Sequence, residues 1–474
     1  MSYPYAFARS ASAAEVRARF GDLDPGAGSG ESVSLAGRLM TMRSHGKLAF
    51  ADLADQSGRI QLFAQEEVLG VEGLRAFAAL GVGDIVGATG EVVKTRRGEL
   101  SVKVSAVELL APCTRPMPGK YKGLTDVEAR YRQRYLDLIV NEDSRRVVPL
   151  RAAANAAIRT FLEQRGFIEV ETPLLQPLAG GAVARPFVTH HNQLDMDLYL
   201  RVAPELYLKR LLIGGFERIY ELNRSFRNEG VSSQHNPEFT MLEAYEAYVD
   251  YHHTMALVEE LVRTIALATT GSTTVIIDGR AVDLAQPFER ITMFDAIARA
   301  TGEHLEEAWR AGDDEALRAA AGRAGVRAEP SWSPGKLVAE TFEQLVEEHL
   351  RLPTFVTGFP KDVSPLAKDH RELPGFTEHA DLIIGGMEIA PIYSELNDPV
   401  EQRRRFEQQA RARDVGDEET AAADDDFLEA LAYGMPPAGG FGLGVDRLLA
   451  LLGGYPSLRE VILFPTLRPR AEDP

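Results

Sequence analysis

The sequence predicts an α+β protein, with a small N-terminal β-barrel followed by a larger domain built on an antiparallel sheet flanked by helices. Three observations carry this. Short strand-like runs separated by turns fill residues 34–111. The stretch from Glu217 to Tyr251, ERIYELNRSFRNEGVSSQHNPEFTMLEAYEAYVDY, alternates as two strands around a polar loop. Near the C-terminus the glycine-rich MPPAGGFGLG runs into a helical VDRLLALL. A chain of 474 residues has room for two or three domains. No apolar run approaches the ~20 residues that cross a bilayer. The start, MSYPYAFARSASAAEV, lacks the apolar centre of a secretory signal. The single Cys113 excludes an intrachain disulfide framework and a cysteine-rich zinc site. The expectation is a cytoplasmic protein without a membrane partner. The net charge of −18 argues against nucleic acid as a partner, because phosphate attraction dominates such binding. Between Ser34 and Lys120, however, eleven Lys/Arg face nine Asp/Glu, so that segment is about +2.

Taken in order, residues 1–33 read as a leader: a short helical pattern, then the mobile-looking DLDPGAGSGES. Residues 34–111 follow the order strand–strand–strand–helix–strand–strand. That is the order of an OB-fold, a five-stranded barrel that often binds single-stranded nucleic acid. Residues 112–147 read as a Pro-containing linker and a bridging helix, and 148–474 as the larger domain. Val148 to Arg165 places Leu150, Ala154, Ile158, Phe161 and Leu162 on one helical face, and Gly166 ends the helix. FIEVETPLL then alternates as a strand into Pro173. Residues 252–340 hold helices and a strand-like TTVIIDGRAVDL, with TGEHLEEAWRAGDDEALRAAAG expected as exposed helix. The acidic run DEETAAADDDF is expected to be solvated.

In the first arm of the central hairpin, Tyr220, Leu222 and Phe226 share one face, and Glu221, Asn223, Ser225, Arg227 and Glu229 share the other. In the second arm Phe239, Met241, Glu243 and Tyr245 share a face. An arginine fork binds phosphate, and an aromatic plate stacks on a purine. Glu243 lies four residues beyond Phe239, about 13 Å along a strand at about 3.3 Å per residue. That is the span from a nucleotide base to a small group joined at its α-phosphate. On alternation alone, an amphipathic hairpin with a solvated polar face is the better explanation of the pattern.

The residue identities resemble motif 2 of class II aminoacyl-tRNA synthetases. The run RVAPELYLKRLLIGGFERIYELNRSFRNEG…HNPEFTMLEAY resembles most closely the lysyl-tRNA synthetase family of the bacterial class II type. The helix and strand ending at Pro173 resemble motif 1, a dimer interface. MPPAGGFGLGVDRLLALL resembles motif 3, whose glycines 439, 440, 442 and 444 let backbone approach a nucleotide. The resemblance implies a ligase that activates L-lysine with ATP and transfers it to the 3′ end of tRNA(Lys). It implies a homodimer, an antiparallel class II catalytic sheet, Mg²⁺ held by Asp381 and Glu388, and an anticodon-binding OB-fold. Catalysis falls to Arg227, Glu229 and Arg447. ATP falls to Arg227, Glu229, His235, Asn236, Phe239, Glu388 and Arg447. Lysine falls to Gly181, Glu205, Glu243, Tyr245, Tyr393 and Glu395. The anticodon falls to Arg43, Phe50, Gln61 and Glu99, although Phe50 read alone is as readily a core residue. Five positions depart from the family's usual residues: Gln234 and Met387 stand for arginines, Pro391 for asparagine, Asp381 for glutamate and Gly439 for alanine. Alternative readings are an aspartyl or asparaginyl sister enzyme, a relative that moves lysine onto a protein, and a non-catalytic RNA-binding paralogue.

Overall fold

The computed structural model describes residues 3–118, 124–178, 180–182, 184–414 and 424–469. The chain forms two units, Met1–Gly123 and Leu124–Pro474.

In the first unit, strands β1 (Gly28–His45), β2 (Leu48–Ala54), β3 (Arg59–Gln65), β4 (Ile85–Lys94) and β5 (Leu100–Ala111) close a barrel in the order β1-β2-β3-β5-β4. Closure leaves no unpaired edge. Alternate residues point inward: Leu35, Ala51, Leu53, Ile60, Leu62 and Val102 are fully or almost fully buried. Residues 11–33, expected as a leader, are built into the barrel unit. Helix α1 (Ala13–Phe20) starts at a capping box in which Ser12 and Glu15 satisfy each other's backbone N–H. It buries Ala13, Val16 and Phe20 in the barrel core, and β1 already begins at Gly28. Helix α2 (Glu66–Ala78) joins β3 to β4.

The second unit opens with α3 (Val127–Arg132), α4 (Arg134–Val140) and α5 (Glu142–Glu163). The expected bridging helix is therefore two short helices, and the expected boundary at 148 falls inside α5. Arg134 is buried and reaches Asp137 at 2.7 Å, and Arg130 ties Asp137 to Glu460, each at 2.9 Å. Residues 119–123 of the linker lie outside the described residues. FIEVETPLL forms two short pieces instead of one strand, β6 (Ile168–Glu169) and β7 (Leu175–Gln176). Between them Pro173 offers no N–H to a ladder, and Thr172 bonds Glu221 instead. Strands β8 (Val188–His191) and β9 (Met196–Leu200) join β7 in a small sheet.

The remaining elements are α6 (Glu205–Ile213), β10 (Arg218–Phe226), β11 (Glu238–Ala247), α7 (Tyr251–Thr270), the hairpin β12 (Thr274–Ile277) and β13 (Arg280–Asp283), and β14 (Glu289–Thr292). They continue as α8 (Met293–Thr301), α9 (Glu306–Ala311), α10 (Asp314–Ala324), α11 (Pro334–Leu345), β15 (Thr354–Pro360), β16 (Phe376–Ile384) and β17 (Met387–Ser394). The last are α12 (Pro399–Asp414), α13 (Asp425–Ala432), β18 (Ala438–Gly444) and α14 (Val445–Gly453). Eight strands form one sheet in the order β14-β15-β16-β17-β18-β11-β10-β6. It is antiparallel except for its outermost pairs, β14–β15 and β10–β6.

One face of this sheet is covered by α5 and α7. Ile158, Phe161, Leu162, Val258, Leu261 and Ile265 pack there against Tyr220, Leu242, Ala390 and Phe441. Each such side chain contributes about 1.5–3 kcal/mol of burial. Because neighbours along a strand point oppositely, Glu221, Glu243, Tyr245 and Tyr393 are directed to the other face. The expected insertion at 252–340 is narrower than that range, because α7 belongs to the main core and β14 to the main sheet. Helices α8, α10 and α11 build a separate cluster with Ile297, Leu317, Leu337 and Phe342. They are amphipathic rather than wholly exposed. Residues 417–423 of the acidic run lie outside the described residues.

Candidate functional site

Two cavities open on the face of the sheet away from α5 and α7. One, of about 300 Å³, is lined by Gly181, Glu205, Glu243, Tyr245, His379, Asp381 and Tyr393, among others. The other, of about 170 Å³, is lined by Glu229, Gln234, His235, Asn236, Phe239, Gly444 and Arg447, among others. Arg227, Met241, Glu388 and Pro391 line both. The site residues expected in this unit therefore converge, with the exception of Glu395.

Strand register explains the convergence. Glu243 pairs across the ladder with Glu221 on one side and Gly442 on the other, and Tyr245 pairs with Gly440. Tyr393 also pairs with Gly440, and Asp381 with Pro391. A Cβ on Gly440 would lie 2.1 Å from Glu395 Oε1 and 2.6 Å from the Tyr245 ring. This glycine thus makes room for two acidic-pocket side chains. Gly439 packs toward Thr254 of α7, so only Gly442 and Gly444 of the four motif glycines line the cavities. Gly181 has φ +90°, open to glycine, and sits against Glu205 and Ala203.

The larger cavity is acidic. Glu205 and Glu243 are buried. Tyr245 donates its hydroxyl to Glu243 at 3.2 Å. Burial, then the Glu205 charge, hold the Glu243 carboxyl well above its ordinary range, and burial and Glu243 push the Tyr245 phenol up. The polar face of β10 is not solvated: Arg201 pairs with Glu221 at 2.6 Å in the interior. Glu395 stands one layer behind the cavity wall, because Lys209 occupies its carboxylate. Lys209, wholly buried on α6, lies 2.5 Å from Glu395 and 2.7 Å from Glu205. Sequence reading missed Lys209. Its signal was the i,i+4 spacing to Glu205, which says nothing about a partner on β17's far end.

The smaller cavity carries two guanidiniums, Arg227 and Arg447, among the carboxylates Glu229, Glu388 and Asp446. Arg227 lies 5.2 Å from the centre of the Phe239 ring, and its Nε is buried without a hydrogen-bond partner in the chain. Arg447 donates to the Glu388 carbonyl at 2.8 Å and lies 3.4 Å from His235 Nε2. Burial, then Arg447, hold the His235 imidazole below its usual value, which favours the neutral ring. Asn236 spends its amide on the Glu238 carbonyl at 2.6 Å, and its oxygen accepts from the Thr466 N–H. It shapes the loop from within the chain. Gln234 lines the cavity at its exposed edge, whereas Met387 packs against the main core.

Asp381 and Glu388 face the larger cavity together. Asp381 accepts from or shares a proton with His379 at 2.9 Å, and His379 also meets Ser364 at 2.8 Å. Burial, then the Asp381 charge, raise the Glu388 carboxyl. Glu347, whose carboxyl burial and Glu388 push up to about 7, accepts from the Glu388 N–H. Among the described residues no group of three or more ligands is poised to hold a metal alone. Two carboxylates in one cavity, Asp381 beside His379 and Glu388 3.8 Å from Arg447, do fit Mg²⁺, which takes one or two carboxylates and completes its shell with phosphate oxygens and water.

In the barrel unit, Phe50 is on the outer face and half-buried, so it is not a core residue. It pairs with Arg43 on one side and Phe63 on the other, and the two rings stack at 4.9 Å. Phe63, missed in the sequence, extends the aromatic plate. Gln61 accepts from Ser101 at 3.0 Å, and exposed Glu99 lies two residues away, its carbonyl also meeting Ser101. No helix among the described residues is long and apolar enough to cross a membrane.

Comparison with known proteins agrees with this geometry. The family of class II tRNA synthetases (D, K and N) matches residues 126–468, and the OB-fold nucleic acid binding domain family matches 33–110. The lysine–tRNA ligase of Moorella thermoacetica is 52% identical, over 96% of this chain and 92% of its own. That of Carboxydothermus hydrogenoformans is 51% identical, over 93% and 90%. That of Syntrophomonas wolfei is 49% identical, over 98% and 93%.

Proposed function

The chain belongs to the class II tRNA synthetases of the aspartate, lysine and asparagine group, and we propose that it joins L-lysine to tRNA(Lys) using ATP. The observation that carries this reading is Arg227, whose guanidinium Nε is buried without a partner and which borders both an acidic cavity and one that holds Phe239, His235 and Arg447. An amino acid in the first and a nucleotide in the second meet at that fork. There it stabilises charge as the lysine carboxylate attacks the α-phosphate and pyrophosphate leaves.

In this reading Phe239 and Arg447 hold adenine between them, and Glu229 and His235 position the ATP. Glu205 receives the α-ammonium, with Gly181 leaving space beside it. Glu243 and Tyr245 accept from the side-chain ammonium, and Tyr393 closes that end. A buried ammonium needs counter-charge and acceptors. A substrate carboxylate would instead meet glutamates, which disfavours the aspartate sister reading. Asp381 and Glu388 hold Mg²⁺, which supplies neutralisation of phosphate charge when bound. The adenylate is then attacked by the 3′ adenosine of tRNA. On the barrel, Arg43, Phe50, Gln61 and Glu99 read the anticodon. Val148, Ile168, Leu174 and Leu175 leave apolar side chains exposed around α5 and the segment after it, which supports a homodimer. A cytoplasmic place of action follows from the substrate.

The test is ATP–pyrophosphate exchange across all twenty amino acids, without tRNA. Exchange with lysine alone is the expected result. Exchange with another amino acid moves the reading to a sister enzyme. No exchange from folded protein that binds tRNA overturns it in favour of an RNA-binding paralogue.

A further inference from the structure

Behind the wall of the acidic cavity, beside its Glu205, lies a lysine. Lys209 is wholly buried, and its ammonium touches Glu205 and Glu395 and no water-exposed surface. A buried ammonium survives only when its neighbours keep it charged. Here the two glutamates outweigh burial and hold Lys209 above its ordinary value. The remaining titratable groups that face this cluster are Glu243 and Tyr245 from β11 and Tyr393 from β17. Asp381 and Glu388 also line the cavity; Glu388 is set against Arg447 and Arg227, and Asp381 is paired with His379 and faces Tyr393.

Counting charge gives the argument. With both substrate ammoniums in place, Glu205, Glu243 and Glu395 in their ionised forms carry three negative charges, and Lys209 carries one positive charge. The pocket is left with two net negative charges. L-lysine brings two ammonium groups. Its carboxylate, the reacting group, belongs at Arg227. We propose that Lys209 is a specificity-determining positioning residue: a resident counter-ion that favours the ionised forms of Glu205 and Glu395 and matches the pocket's charge to the two ammoniums of the substrate. This rests on the lysine–tRNA ligase reading above.

Without Lys209, two buried carboxylates would face each other with no cation between them. Such pairs take up a proton. A protonated acid accepts poorly from an ammonium, so lysine binding must then release that proton. Binding that releases protons strengthens as pH rises. In the wild type Lys209 does part of the proton's work: it lowers the Glu395 carboxyl, which burial still holds at about 7, so this component is smaller.

The experiment is lysine-dependent ATP–pyrophosphate exchange with full-length wild type, Lys209→Met, Glu395→Gln and the double variant, from pH 6 to 8.5. Lys209→Met is expected to raise KM for lysine about tenfold or more at pH 6, with KM for ATP unchanged. The ratio of variant to wild-type KM should fall several-fold by pH 8.5. Taking a ratio cancels the ionisation of free lysine and of Glu243. Glu395→Gln leaves one net negative charge and should also raise KM. The double variant returns the pocket to two net negative charges and should recover most of the loss. A merely structural lysine would give a pH-independent ratio and no recovery. Should Lys209→Met fail to fold, Glu395→Gln against the double variant carries the same test. A KM ratio below two at pH 6, a flat ratio, or a double variant no better than the single changes overturns the proposal. Wild type that exchanges with an amino acid other than lysine overturns the ligase reading and this proposal with it. A lysine-specific wild type with unresponsive variants overturns this proposal alone.

Discussion

The two cavities that meet at Arg227 are made of opposite materials. The amino-acid side is wired in advance: Glu205 to Lys209 to Glu395, and Tyr245 to Glu243. The nucleotide side carries two guanidiniums whose bonds are few, with Arg227 Nε unpaired and Arg447 resting on the Glu388 carbonyl. The difference separates two tasks. Choosing one small cation among many amino acids requires desolvated charge fixed in place. Holding a triphosphate through an in-line displacement requires donors free to follow developing charge.

The largest effect is expected where the two meet. Arg227→Ala should lower kcat for lysine-dependent exchange about 10²–10³-fold, the cost of losing a donor to transition-state charge, with thermal stability little changed. If KM for lysine alone rises and kcat is kept, Arg227 belongs to the acidic side only, and the division between cavities fails.

An intermediate effect sharpens the acidic side. Glu243→Gln should raise KM for lysine about tenfold or more with KM for ATP near wild type. Because burial raises the Glu243 carboxyl, part of the wild-type population is protonated above the ordinary carboxylate range. A cation binds the ionised form, so wild-type KM should fall as pH rises from 6 to 8, and Glu243→Gln should flatten that slope. A slope kept in the variant would assign the ionisation elsewhere.

The smallest effect is expected on the barrel. Phe63→Ala removes the ring stacked on Phe50. Stacking of a base on an aromatic is worth about 1–3 kcal/mol, so KM for tRNA should rise roughly five- to a hundredfold while exchange without tRNA is unchanged. Unchanged aminoacylation kinetics would remove the Phe50–Phe63 plate from the RNA-reading surface.

The sequence by itself determined the periodicities and the identities. Alternation along β10 and β11 set Glu243 and Tyr245 opposite Leu242 and Ala244, since a strand has only two faces. The barrel order could be read from strand and helix patterns, and the residues of the three motifs were legible as a family. Register and burial were decided only in three dimensions. That α1 belongs to the barrel core depends on Val16 and Phe20 meeting strands far along the chain. That FIEVETPLL breaks into two pieces depends on Thr172 finding Glu221. That Asn236 turns inward depends on the Thr466 N–H. Lys209 shows the reason most clearly. Its four-residue spacing from Glu205 is local and visible, but its second partner, Glu395, lies at the end of another strand. Only packing that removes all three from water makes their charges a unit, because the energy of a charge is set by its surroundings, and a sequence lists residues without them.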